Sequence, residues 1–168
     1  KMDFLGLRTL AVIKDTLDLV KNRTGEMPDI YNISFDDAKV YAMLAKGDTD
    51  GVFQLESTGM RNFMRELGPS TFEDIIAGIA LYRPGPMESI PRYVKGKKDP
   101  GSVEYLHPIL EPVLNVTYGC IVYQEQVMQI VRDVAGYSLG RSDVMRRAMS
   151  KKDKAVMERE HEIFIHGL

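Results

Sequence analysis

The sequence predicts a mostly α fold, and three observations carry that prediction. Apolar residues recur at helical spacing in one segment after another. Most of these runs are closed by glycine or proline. Only short stretches alternate as strands do, so the pattern leaves room for at most a small β element. The composition is that of a folded chain. Of 168 residues, 44% are hydrophobic and 27% charged, close to average soluble proteins, which argues against disorder. No run approaches the roughly 18 apolar residues of a spanning helix, so no membrane role is expected.

The elements follow in order. Leu7, Leu10, Ile13, Leu17 and Val20 form one apolar stripe, predicting a helix over about residues 7–21. Thr24-Gly25-Glu26-Met27-Pro28 breaks it. A second, short helix is expected after Ser34, with Val40, Tyr41 and Leu44 inward and Gly47 as its stop. Gly51-Val52-Phe53-Gln54-Leu55 is too short for a helix and reads as extended. The next helix, Thr58–Leu67, ends at Gly68-Pro69 because proline cannot continue the hydrogen-bond ladder. Ser70-Thr71-Phe72-Glu73 has the capping-box pattern and opens an apolar helix, Phe72–Leu81. Pro84-Gly85-Pro86 is a rigid turn. A basic loop (Lys95, Lys97, Lys98), a short helix over residues 108–114 and a turn over 115–119 come next. Residues 123–135 form a helix with Val127, Ile130, Val131 and Val134 inward and Gly136 as its cap. Ser142 is expected to cap a helix over 143–149, and a last helix covers 152–166.

Charge is unevenly spread. Residues 141–154 hold Arg141, Arg146, Arg147, Lys151, Lys152 and Lys154 against Asp143 and Asp153. That window carries +4 within a chain of net −2, leaving −6 elsewhere. Such a patch on an acidic body can be an anion site, since arginines bind phosphate oxygens bidentately. Read from charge alone, the commoner explanation is a solvated helix face. The histidines offer little: His161 and His166 lie about 140° apart around a helix, unsuited to a shared metal, and His107 before Pro108 reads as a helix-start residue. Cys120 is the only cysteine, so neither an internal disulfide nor a cysteine zinc site is available, which fits a reducing cytoplasm. Asp3, in Lys1-Met2-Asp3-Phe4-Leu5-Gly6, lies in a strand-like alternation, but one carboxylate is not a metal site. The chain starts at Lys1 with neither methionine nor an apolar leader, as an excised piece of a longer polypeptide would.

Several long motifs, in this order, resemble the bacterial DNA polymerase III α subunits of the DnaE type. They are Lys1-Met2-Asp3-Phe4-Leu5-Gly6-Leu7-Arg8-Thr9-Leu10, Val52-Phe53-Gln54-Leu55-Glu56-Ser57, Arg83-Pro84-Gly85-Pro86 and Thr117-Tyr118-Gly119. Tyr123-Gln124-Glu125-Gln126-Val127-Met128, Gly136-Tyr137-Ser138-Leu139-Gly140 and Arg146-Arg147-Ala148-Met149 with Lys151-Lys152 complete the set. The resemblance implies a multi-helix fingers domain from a larger polymerase whose palm is similar to that of polymerase β. It divides the chain into the end of the palm, residues 1–10, and fingers, 11–168.

The resemblance also implies roles. Asp3 matches the third palm aspartate that binds Mg²⁺, and Lys1 the neighbouring active-site lysine. The other two palm aspartates are absent, so the fragment alone is expected to be inactive. Arg146 and Arg147 match residues that contact the incoming dNTP triphosphate, with Lys151 near; Lys152 and Arg83 extend that set. Tyr123 and Gln124 would line the nascent base-pair pocket. Implied partners are template-primer DNA, dNTP, the rest of the polymerase chain, and replisome subunits such as the sliding clamp, clamp loader and proofreading subunit, in the bacterial cytoplasm. The readings from other classes are a non-catalytic DNA-binding module and an interaction domain without an anion site.

Overall fold

The computed structural model of the chain describes residues 2 and 4–167. Among these the fold is helical and contains no strand. Two compact units divide at Phe72 and Glu73.

The first unit holds α1 (Arg8–Thr24), α2 (Ala38–Lys46) and α3 (Thr58–Leu67). The expected apolar stripe of α1 exists, but none of the helix is buried, and Leu7, Leu10 and Ile13 face solvent. Periodicity defines a face, not what covers it. Ahead of it, Met2, Phe4, Leu5 and Gly6 are exposed without regular structure. Asp37 caps α2 by accepting from the Lys39 amide, so this helix starts four residues after Ser34. Leu44 is buried there, while Val40 is exposed. Residues 51–55 are a turn, not an extended segment. The Val52 and Leu55 amides donate to Thr49 O and Val52 O, and Gln54 takes a left-handed φ of 65°. The Thr49 hydroxyl, itself buried, locks the turn by donating to Leu55 O at 2.6 Å. Ser57 then caps α3 through the Met60 amide, and Met60, Phe63, Met64 and Leu67 form its buried face.

The second unit begins in α4 (Phe72–Leu81) and continues through a 3-10 turn, Pro86–Ser89, into α5 (Ile90–Lys98). The lysines expected on a loop thus stand on a helix. Ile90, Tyr93, Val94 and Gly96 bury its inner face, and Lys97 pairs with the buried Asp74 of α4 at 3.0 Å. Three lysines in four residues hid an amphipathic pattern that pairing with Asp74 completes. After 3-10 turns at Pro100–Ser102 and Pro108–Leu110 come the single turn α6 (Glu111–Leu114), another 3-10 turn, Asn115–Thr117, and α7 (Gln124–Ala135). His107 is a helix-start residue, its Nδ1 accepting from the Ile109 amide. On α7, Val131 is buried and Val134 exposed.

Two final helices, α8 (Leu139–Lys151) and α9 (Lys154–His166), pack in sequence after α7. The cap of α8 is Ser138, whose hydroxyl accepts from the Arg141 amide, and not Ser142. Ser142 lies wholly buried inside the helix and donates back to Ser138 O at 2.9 Å. Lys152 does not start the last helix. It adopts the left-handed conformation (φ 54°) that ends α8, and Asp153 caps α9. Tyr137, buried between helices, donates to Glu160 O, while Arg141 lies over its ring and pairs with Glu160 at 2.9 Å. This cluster explains the Gly136-Tyr137-Ser138 motif as a left-handed cap, a core anchor and the next helix's cap. The most buried apolar side chains, such as Leu81, each contribute about 2–3 kcal/mol by leaving water.

Candidate functional site

A groove of about 790 Å³ runs between α4, the start of α7 and the end of α8. Ile76, Ile79, Ala80, Ile121, Val122, Val127 and Met149 give it apolar walls; Arg83, Arg146 and Lys152 give it cationic ones, with Glu125 the one acid among its lining residues. Arg83 reaches the groove from the turn that follows α4, which stops at Leu81. Gly85, at φ 104° and ψ −77°, holds a backbone shape that a side chain would strain, and the Met87 amide closes the turn on Arg83 O.

The opposite wall is set by the segment before α7. Tyr118 and Gly119 are both left-handed, at φ 51° and 77°. They swing the chain round so that residues 121–124 line the groove. Gln126, fully enclosed, pins this segment from behind. Its Oε1 accepts from the Val122 and Tyr123 amides at 2.8 and 2.9 Å. Its Nε2 donates to Val113 O at 3.1 Å and to Thr117 Oγ1 at 2.7 Å. Every polar atom of that amide group is therefore engaged. The Tyr123 phenol is pushed above its ordinary range by burial, with Glu73 and Asp74 adding to the effect, and stays neutral. The N-terminus of α7, opening on the groove, adds partial positive charge.

Arg146 is the best-held cation. Its Nε and Nη2 donate to Asp143 Oδ1 at 2.9 and 2.7 Å, and its Nη1 donates to Gln124 Oε1 at 2.7 Å. Arg147 reaches the other oxygen of the same carboxylate, Nη2 to Oδ2, at 2.9 Å. The hydrogen bond from Arg146, helped by the charges of both arginines, holds the Asp143 carboxyl below the ordinary aspartate range. By contrast, Arg83 and Lys152 have no carboxylate partner among the described residues.

Five expected site residues therefore share one groove: Arg83, Tyr123, Gln124, Arg146 and Lys152. Arg147 and Lys151 do not line it. Consecutive residues on a helix point about 100° apart, so Arg147 cannot share the facing of Arg146. Lys1 and Asp3 lie outside the described residues. Among the described residues no three His, Cys, Asp or Glu side chains gather as a metal site. Sequence reasoning overlooked Gln126 and Asp143. A glutamine embedded in Val122-Tyr123-Gln124-Glu125-Gln126-Val127 was a usable signal, since a polar group on an apolar helix face must find partners. So was an acid three and four residues before two arginines.

The fold and this cation-lined groove define a class. The family model of the bacterial DNA polymerase III α subunit finger domain matches residues 9–168, and the chain belongs to that family. Among individual proteins, it is 54% identical over 167 residues to the DNA polymerase III subunit alpha of Staphylococcus aureus (strain COL), and 53% identical to that of Halalkalibacterium halodurans. These alignments cover 99% of this chain but 16% and 15% of the relatives' lengths.

Proposed function

We propose that the chain forms the fingers of a DNA-directed DNA polymerase and that the groove receives the triphosphate of the incoming dNTP. The observation that carries this reading is the convergence of Arg83, Arg146 and Lys152 beside Tyr123 and Gln124. Phosphoryl transfer needs cations that hold the triphosphate, and a planar guanidinium fork suits phosphate oxygens. In this reading Arg146 is the central contact, and Arg83 and Lys152 neutralise charge from opposite walls. Arg147 and Lys151, outside the groove, contribute to the field. Tyr123 and Gln124 offer an aromatic face and an amide to the nascent base pair.

Residues 1–10 would belong to the end of the palm and residues 11–168 to the fingers. The Mg²⁺ chemistry, as the motif resemblance implies, would rest on Asp3, with Lys1, and on carboxylates elsewhere in the polymerase chain. Template-primer DNA and replisome subunits such as the clamp, clamp loader and proofreading subunit would be met by the whole polymerase in the bacterial cytoplasm. No helix among the described residues is long and apolar enough to cross a membrane.

The test is titration of the chain with dNTP and with primer–template duplex, alongside the variant Arg146→Ala/Arg147→Ala. The expected result is nucleotide affinity that the double variant loses. Duplex binding with a steep salt dependence and indifference to nucleotide would favour a DNA-binding module instead. Binding of neither would leave an interaction domain.

A further inference from the structure

Asp143 does not itself line the groove, but it holds Arg146, which does, and its two oxygens are divided between two guanidiniums. Oδ1 takes Arg146 and Oδ2 takes Arg147, at 2.7 and 2.9 Å. The spacing makes this possible. Residues three and four apart on a helix are surface neighbours, so one carboxylate at position 143 can hold both arginines. Without it, adjacent like charges would repel and the long side chains would spread over their rotamers. Gln124, on the other wall, takes a third donor of Arg146. Arg146 thus uses Nε and one N–H of each terminal nitrogen, leaving one N–H on each for another acceptor.

Resting on the triphosphate reading above, we infer that Asp143 is a positioning residue for the incoming nucleotide: it fixes Arg146 against Gln124 and, by cancelling one positive charge, limits how tightly the triphosphate binds before reaction. Its depressed pKa keeps the carboxylate ionised across physiological pH. Two arginines and one aspartate present a net single positive charge in a fixed geometry, where two unrestrained arginines would present twice that charge without geometry. Removing the carboxylate therefore strengthens ground-state attraction and weakens alignment. These effects fall on different kinetic constants.

The experiment is steady-state primer extension by the full polymerase chain carrying Asp143→Asn, Asp143→Glu or Arg146→Ala/Arg147→Ala, with dNTP varied and thermal melting recorded for each. For Asp143→Asn the KM for dNTP is expected to fall about threefold, the size of one partly exposed charge interaction. The kcat is expected to fall by about tenfold or more from loss of alignment. Asp143→Glu restores the charge one methylene further out, so its KM should return to the wild-type value with part of kcat recovered. A rise in KM, or no change in either constant, overturns the role of Asp143. So does a lowered melting temperature with kcat reduced at unchanged KM, the pattern of a residue whose loss only lowers the folded fraction. If the arginine double variant keeps wild-type KM and kcat, the triphosphate reading itself fails, and the inference with it. If the double variant loses activity and Asp143→Asn matches wild type, only the inference fails.

Discussion

Replacing Gln126 by leucine keeps the volume of the side chain while deleting its amide. Four hydrogen bonds disappear, but the losses are unequal. Thr117 Oγ1 still donates to Cys120 O at 2.6 Å, so it loses only a spare acceptor contact. The Val122 and Tyr123 amides and Val113 O are left without the partner that Gln126 supplied. An unmet buried polar group costs about 1–3 kcal/mol. Val122 and Tyr123 are only partly covered and can relax toward water, so the low end applies to their amides, and the buried Val113 carbonyl, the more readily tolerated kind of orphan, is taken at the low end too. The expected loss is about 3 kcal/mol. For a chain of 168 residues this corresponds to a fall in Tm of roughly 10 °C. Urea denaturation of the chain followed by circular dichroism would measure it, with an unchanged slope showing that the folded and unfolded states are otherwise alike. A loss under about 1 kcal/mol would refute the view of Gln126 as the fastener of the groove wall.

Three further substitutions probe packing, backbone freedom and charge in the same fold. Gly96→Ala should destabilise by about 1–3 kcal/mol, against the usual helical trend, because the new methyl would stand 2.6 Å from Tyr118 Cβ. Gly140→Ala on α8, with nothing within 4 Å, should instead stabilise by about 0.5 kcal/mol, so the pair of melts is its own control. Glu160 is held below its ordinary value of 4.5, chiefly by the hydrogen bond from Arg141. A depressed carboxylate stabilises the fold fully above the unfolded value and loses that contribution as pH falls through the folded one. Glu160→Gln should therefore be less stable than wild type near neutrality, and the gap should close from about pH 5 downward in acid denaturation.

Much of the helical framework was legible because its stops are covalent in origin. Gly68-Pro69 and Pro84-Gly85-Pro86 stop α3 and α4 whatever the tertiary context, and both helices lie close to their expected bounds. Starts were harder. Ser138 and Ser142 have identical capping chemistry, and only burial of Ser142 distinguishes them. The basic stretch of α5 concealed a helix whose charged residue turns inward to a buried aspartate. Of the candidate site, the cations could be read as residue types, since guanidinium and ammonium groups carry their chemistry with them. Which of them meet could not. That depends on consecutive left-handed residues at Tyr118 and Gly119, where a tyrosine gives no sign of such a conformation, and on helix rotation, which leaves Arg147 off the groove that Arg146 lines.

Lys152 closes α8 in a conformation that glycine would occupy without strain. A lysine there costs roughly 1 kcal/mol of backbone energy, and it lines the groove. Stability and charge thus pull this position toward different amino acids. If Lys152 meets the triphosphate as proposed, selection for heat resistance alone would favour glycine or asparagine at 152, whereas selection for nucleotide binding would favour the cation.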